Sequence, residues 1–365
     1  MRFQFLFLIN LFVYPLKKLF DYIIVGQGIA GTILAFELLK QNKQILIINN
    51  DDLSSSSRVA AGIWNPVVFK RLTKSWMADE LIPTLNSFYE GIGKTLNNQF
   101  IKKINIAKLF SEEQEKVLWR LKTENEMQNY LSSEIFEMNH PLNAEFALVK
   151  QSGNLDAKLF LSESTKYFNQ HNCYLRESFD FDKLIIDANE IVYKNYAATK
   201  IIFCEGHQIS KNNYFNWIPM KPAKGDILTI YCRELEIDFI LNKGVFILPL
   251  GNHLFKVGAT YNWDVLNDEP DENAKTELIS KLKKIVPYEF EVVNHESGIR
   301  PAVIDRRPVI GSHPKHNSLL VFNGFGTKAV MLVPYFAKML SQHLTENTPL
   351  HNETDVNRFY KHFTE

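Results

Sequence analysis

A glycine-rich turn set between two apolar runs constrains this chain more than any other feature. Asp21 to Val25 reads Asp-Tyr-Ile-Ile-Val, the near-continuous apolar run of a parallel strand covered by helices on both faces. It ends at Gly26-Gln27-Gly28-Ile29-Ala30-Gly31. The pattern beyond predicts a helix from Ile29 to Leu39, closed near Asn42, and a second strand from Ile45 to Ile48. Such a β-α-β unit binds a dinucleotide. Gly26 permits the tight turn, Gly28 lets backbone approach the pyrophosphate, and Gly31 lets helix pack on strand, with Ile29 and Ala30 opening the helix that faces the phosphates. Where an acidic residue should hold the ribose hydroxyls stands Asn49, with Asp51 able to substitute if its loop curls back.

With 365 residues, 45% of them hydrophobic, the chain is longer than one typical domain and predicts two. Lys plus Arg and Asp plus Glu balance at 41 each, which argues against a polyanionic partner such as nucleic acid. Cys173, Cys204 and Cys232 are odd in number and far apart, which fits neither a disulfide framework nor a metal site, and a reducing, cytoplasmic setting is expected. The first 20 residues stand apart: an apolar run from Phe5 to Val13 precedes Lys17-Lys18. The run is too short to span a bilayer and no small-residue cleavage site follows it. It reads as an added N-terminal extension or, through residues 1–18, as an interfacial membrane anchor. No second GxGxxG, GxSxG, HExxH or GKS/T pattern occurs, which argues against a pyridine-nucleotide-reducing flavoenzyme, a serine hydrolase, a zinc protease or a P-loop enzyme.

The loop alone does not separate FAD from NAD; motifs farther along do. Ser54-Ser55-Ser56-Ser57-Arg58-Val59-Ala60-Ala61-Gly62 resembles the Ser-rich, Ala-Gly segment that follows the second strand in the D-amino-acid oxidase, glycine oxidase and sarcosine oxidase superfamily. Ile201-Ile202-Phe203-Cys204-Glu205-Gly206 is similar to the strand and glycine turn that close its FAD domain, and Lys221-Pro222-Ala223-Lys224-Gly225-Asp226 to the segment opening its main substrate-domain strand. Gly298-Ile299-Arg300-Pro301, Asp305, Pro308, Ile310-Gly311 and Asn323-Gly324-Phe325-Gly326-Thr327-Lys328 resemble its C-terminal signature, although Phe325 and Ala329 stand where members often carry histidine and glycine.

The resemblance implies an α/β fold: a Rossmann-like FAD domain interleaved with an α+β substrate domain built on an antiparallel sheet. FAD segments are expected at 21–80, 146–215 and 296–365, and substrate segments at 81–145 and 216–295. Leu81 to Glu137 reads as helix-rich, with a helical excursion from Glu112 to Asn129. Strand-like runs at Ile227 to Ile230, Val245 to Leu248 and Leu254 to Val257 precede a polar loop at Asn262 to Glu272 and a helix-like Ala274 to Ile285.

The resemblance further implies a non-covalent FAD held by Gly26, Gly28, Ile29, Ala30, Gly31, Asn49, Ser57, Ala61, Gly62, Gly206, Gly326, Thr327 and Lys328, with no metal. Arg300 stands where amino-acid-oxidising relatives pair a substrate carboxylate, a task suited to a planar guanidinium fork. Lys328 matches a lysine that helps hold that carboxylate in sarcosine oxidases, or else it stabilises charge on the reduced ring. Aromatic residues after a strand usually enter the core, so Tyr261 and Trp263 carry no site assignment. The expected activity is oxidation of the C-N bond of an amino acid or secondary amine, with oxygen or another acceptor reoxidising the flavin. Two other readings stand beside it. Cys204-Glu205-Gly206-His207-Gln208-Ile209 resembles a segment of the oxidase domain that matures tRNA wobble uridine, and the N-terminal apolar run would suit a membrane-surface dehydrogenase that reduces quinone.

Overall fold

A computed structural model describes residues 17–52, 55–138, 144–187 and 190–363; the apolar run Phe5 to Val13 and Ser54 lie outside these. Two eight-stranded sheets organise the described chain. The first is built on the predicted β-α-β unit. Strand β1 (Lys18–Val25) starts three residues earlier than the apolar run suggests, because Lys18 to Phe20 already pair in parallel with Tyr196 to Ala198. Helix α1 (Ile29–Lys40) leads to β2 (Ile45–Asn49), parallel to β1. Tyr174–Arg176 extends the sheet beyond β2, and Tyr196–Phe203 lies on the other side of β1.

Both faces of this sheet are covered, which is why β1 reads as a continuous apolar run. Ile24 packs with Ile33 and Phe36 of α1 and with Phe336 and Leu340 of the C-terminal helix Ala329–Glu346. Ile23 packs on the opposite side with Phe203, Phe215 and Val321. Helix α1 is buried almost all round, sandwiched between the sheet and the C-terminal helix, so it carries no polar face.

The second sheet runs in the order Glu291–Arg300, Ala223–Tyr231, Leu254–Gly258, Phe246–Gly251, Ile240–Asn242, Ile106–Leu109, Ala144–Val149, Leu131–Met138. All its pairings are antiparallel except that between Ile240–Asn242 and Ile106–Leu109. Three of the strands fall in or just after the stretch read as helix-rich. The predicted helical excursion there is shorter, Glu113–Glu124, and the chain then turns so that Met127 and Tyr130 are buried with Trp119.

Period-2 alternation sorts the side chains of this sheet. Leu228, Ile230, Ile247, Phe255 and Val257 form an outer core with Leu278 and Leu282 of the helix Glu272–Lys283. Gly225, Ile227, Phe246 and Gly258 line a cavity shared with the first sheet.

Asp226 ties the polar Asn262 to Glu272 loop to this sheet. It is 1% exposed, accepts from the Asp271 amide at 2.9 Å, and lies 2.9 Å from His295 Nε2. The neighbouring Lys224, also buried, donates to Asn267 Oδ1 at 2.6 Å and to the Glu269 carbonyl. Replacing Asp226 leaves buried donors unpaired. Asp226→Ala is therefore expected to cost about 2–4 kcal/mol, read as a lower urea midpoint at unchanged slope.

Candidate active site

The two sheets enclose one cavity of 780 Å³, toward the upper end of the roughly 300–1,000 Å³ that ligand pockets occupy. One end is the glycine loop, at the carboxyl ends of the parallel strands, where α/β sheets bind nucleotides. Gly26 has φ +100°, and a Cβ there would sit 2.6 Å from the Cys204 carbonyl oxygen. A Cβ on Gly31 would fall inside the contact distance of the Gly26 carbonyl oxygen. Gly31 therefore lies behind the cavity wall and sets the spacing of α1 on β1. Gly26, Gly28, Ile29 and Ala30 line the cavity itself.

The cap residue of α1, Gly28, has no side chain to take up the first helical amides. The Ile29 amide donates to Ser57 Oγ at 3.2 Å, which draws the short helix α2 (Ser56–Val59) over Gly28. With Arg58, Ala61 and Gly62, α2 forms one side of the cavity. Gly62, at φ +73°, has its Cα pressed against the Leu155 carbonyl, and Gly298 packs with Ser56 and Val59. Lys256, its ammonium lowered by burial, reaches the carbonyls of Val59 and Ala60 at 3.4 Å.

At the ribose position the curled-loop alternative is the one adopted. Asn49 accepts from the Gln27 amide at 2.9 Å and donates to Asp51 Oδ1 at 2.8 Å, while Tyr174 binds both. The amide thus supports the glycine loop, and Asp51 supplies a carboxylate at the cavity edge. Sequence reasoning missed the adjoining wall, Glu177 to Phe179 and Phe181, because the three-residue strand before it leaves no clear pattern.

Gly206 (φ +59°) lines the cavity, and its carbonyl accepts from Asn323 Nδ2 at 2.9 Å. Beside it stands Glu205, whose acidity was not singled out in its motif. Burial pushes its carboxyl up to about 7, against the opposing hydrogen bond from Asn212 Nδ2 at 2.6 Å. Burial also lowers the adjacent His207.

The other end of the cavity is made by the second sheet and the Gly326–Lys328 turn. Arg300 Nη1 donates to the carbonyls of Lys224 and Thr260, both at 3.2 Å, and its guanidinium stacks on Tyr261 at 4.2 Å. Gly225 makes room for this: a Cβ there would overlap the guanidinium. Burial lowers the Arg300 pKa from its ordinary value. Tyr261 and Trp263 do not enter the core. Both are 54% exposed and stack on each other at 5.9 Å, with Tyr261 at the cavity wall.

Gly326 and Thr327 line the cavity where the C-terminal helix begins. Lys328 does not join them. Its Nζ donates to Ser75 Oγ at 2.7 Å, outside the lining, and burial together with the charge of Arg307 lowers it to about 8.

This cradle fits a flavin dinucleotide: the N-terminus of α1 to face the pyrophosphate, Asp51 at the cavity edge, and Ala60, Ala61, Gly62 and Gly298 lining the cavity that also holds Arg300. The residues 21–343 match the family model for DAO, FAD dependent oxidoreductases, and the chain belongs to that family. It is an oxidoreductase, and its cofactor is FAD. Of the three cysteines, Cys173 and Cys232 lie outside the cavity, and Cys204 lines it as a buried residue beneath the glycine loop. Glycine oxidase of Bacillus subtilis (strain 168) is 24% identical over 361 residues, 89% of this chain and 93% of that protein. The tRNA 5-methylaminomethyl-2-thiouridine biosynthesis bifunctional protein MnmC of Legionella pneumophila (strain Corby) is 30% identical over 130 residues, 34% of this chain and 19% of its own length. The solved glycine oxidase from Geobacillus kaustophilus superposes with a TM-score of 0.77 at 20% identity, covering 94% of this chain and 98% of that one.

Glu205 makes stability pH-dependent in the flavin-free protein. Its folded pKa lies above the ordinary 4.5, so the folded state holds an extra proton between 4.5 and about 7. Its stabilisation is complete below 4.5 and is lost as pH rises through about 7, by roughly 3 kcal/mol at most. Urea unfolding across that window should show the loss, and Glu205→Gln should flatten it.

Proposed function

We propose that this enzyme oxidises the C-N bond of an amino acid, or of a secondary amine that carries a carboxylate. The observation that carries this reading is Arg300. One guanidinium nitrogen is pinned by two backbone carbonyls and the ring of Tyr261 fixes its plane, leaving Nε and Nη2 without a partner among the described residues. A rigid, half-committed guanidinium at a cavity wall is preorganised for one carboxylate. That contact would orient the substrate carbon toward the flavin, which accepts hydride when bound.

We assign Lys328 a supporting role. Through Ser75 it anchors the turn that presents Gly326 and Thr327, so its effect on the flavin would come through the position of that turn. The chain would divide as the resemblance implies, with the first sheet holding FAD and the second covering the substrate. We place the protein in the cytoplasm, in keeping with its three free, buried cysteines. No helix among the described residues is long and apolar enough to cross a membrane. A tRNA substrate has less support, because the chain covers only 19% to 49% of the length of the MnmC proteins it resembles and carries no net positive charge.

Arg300→Leu should retain FAD yet weaken apparent amino-acid affinity about 100-fold, equivalent to about 3 kcal/mol for a lost charged hydrogen-bonded pair. Anaerobic bleaching of the flavin titrated with substrate measures it; unaltered affinity would remove the anchor role. Gly225→Ala, which displaces the same guanidinium, should reproduce the defect in weaker form, about tenfold, again with flavin content preserved.

A further inference from the structure

We infer that Glu205 meets FAD as a neutral carboxyl, its Oε1 hydroxyl donating to an oxygen of the cofactor beside the glycine loop, so that loading the flavin takes up one proton. The residue lies where the pyrophosphate is expected. It closely follows the strand Tyr196–Phe203, which runs parallel to β1, and a Cβ on Gly26 would come within 3.4 Å of the Glu205 amide nitrogen. Glu205 lines the cavity together with Gly26, Gln27 and Gly28.

Among the described residues three carboxylates line the cavity: Asp51, Glu177 and Glu205. The first two are compensated. Asp51 has Arg176 at 3.5 Å besides the Tyr174 hydroxyl, and Glu177 has Lys194 and the Tyr193 hydroxyl, both at 2.8 Å. Glu205 pairs with no cation among the described residues; its partner is Asn212 Nδ2, which donates to Oε2 at 2.6 Å. That amide cannot turn round. Asn212 Oδ1 already accepts from the backbone amides of Tyr214 at 2.8 Å and Phe215 at 3.1 Å, so only Nδ2 can face Glu205. Oε2 is therefore an acceptor in either charge state, and a carboxyl proton belongs on Oε1. With no partner among the described residues, Oε1 is left to donate to a ligand in the cavity.

The charge of the dinucleotide supplies the reason for the proton. A carboxylate beside a doubly charged pyrophosphate adds a repulsion that a cavity poor in water screens weakly, whereas a carboxyl hydroxyl adds a donor. Burial has already brought Glu205 up to about 7, so the proton is gained near neutral pH. The neighbouring groups titrate elsewhere. Burial lowers His207 below its ordinary 6.5, with Asp268 and Lys211 acting on it in opposite directions, and burial raises the Cys204 thiol well above 9. Arg58 and Lys211 line the same end of the cavity, and neither pairs with Glu205.

The test titrates flavin-free protein with FAD between about pH 6.5 and about pH 8.5, a window in which free FAD itself does not titrate. Kd is read from the change in flavin fluorescence, and proton uptake from calorimetry in two buffers of different ionisation enthalpy. The natural protein should bind more weakly as pH rises above about 7, approaching tenfold per pH unit, with uptake rising toward one proton. Glu205→Gln should give a flat profile at the tight affinity of the acid end, because its carbonyl can face Asn212 and its NH2 then stands in place of the Oε1 hydroxyl. Glu205→Ala should also be flat but about tenfold weaker, the loss expected for one hydrogen bond to a charged group. Circular dichroism confirms that each variant is folded. A natural protein whose Kd ignores pH and takes up no proton, a slope that survives in Glu205→Gln, or Glu205→Gln binding as weakly as Glu205→Ala would each overturn the assignment, and none of them bears on amino-acid oxidation.

Discussion

The close packing of Gly31 of α1 on the carbonyl of Gly26, which leaves no room for a Cβ, is the constraint on which the rest depends. A side chain at Gly31 would lift the helix from the strand, and one at Gly26 would collide with the Cys204 carbonyl. Because they pack so closely, the helix N-terminus lies at the carboxyl edge of the sheet, beside the cavity. Cys204 and Asn49 then fall into place: the Cys204 amide donates to the Val25 carbonyl, and Asn49 receives the Gln27 amide. The dinucleotide end of the cavity is therefore a consequence of packing as much as of ligand chemistry.

Glycine works differently at the opposite end. Gly225 yields its side-chain volume to the Arg300 guanidinium, and Gly298 yields its own to α2. One buried arginine is thereby held in plane by two carbonyls and a tyrosine ring, at the end of the strand Glu291–Arg300. The two ends lie along the walls of one cavity.

Much of this was legible in the chain because it is local. The β-α-β unit announces itself through an apolar run, three glycines and a second apolar run within thirty residues, and the segment from Arg300 to Thr327 through closely spaced turn residues. What escaped notice depends on distant partners. Ile106–Leu109 is a strand because Ile240–Asn242, more than a hundred residues away, and Ala144–Val149 lie on either side of it. Leu131–Met138, with charged residues along its outer edge, resembles helix until Ala144–Val149 pairs with it. Side-chain direction was equally hidden. Lys328 follows Thr327 in the chain but turns toward Ser75, while Tyr261 and Trp263 stay at the surface because Tyr261 is occupied by a guanidinium. Asn49 shows the converse: the missing acid at the strand end was visible, and the loop that returns Asp51 to its side explains why the amide is tolerated.

A crystal structure of the flavin-loaded protein with isovalerate bound would test the account most directly. The predicted result has the pyrophosphate on the amides at the start of α1, the flavin ring between the Ala61-Gly62 segment and the second sheet, and the carboxylate paired with the free edge of Arg300. A carboxylate paired instead with Lys328, or bound away from Arg300, would contradict it.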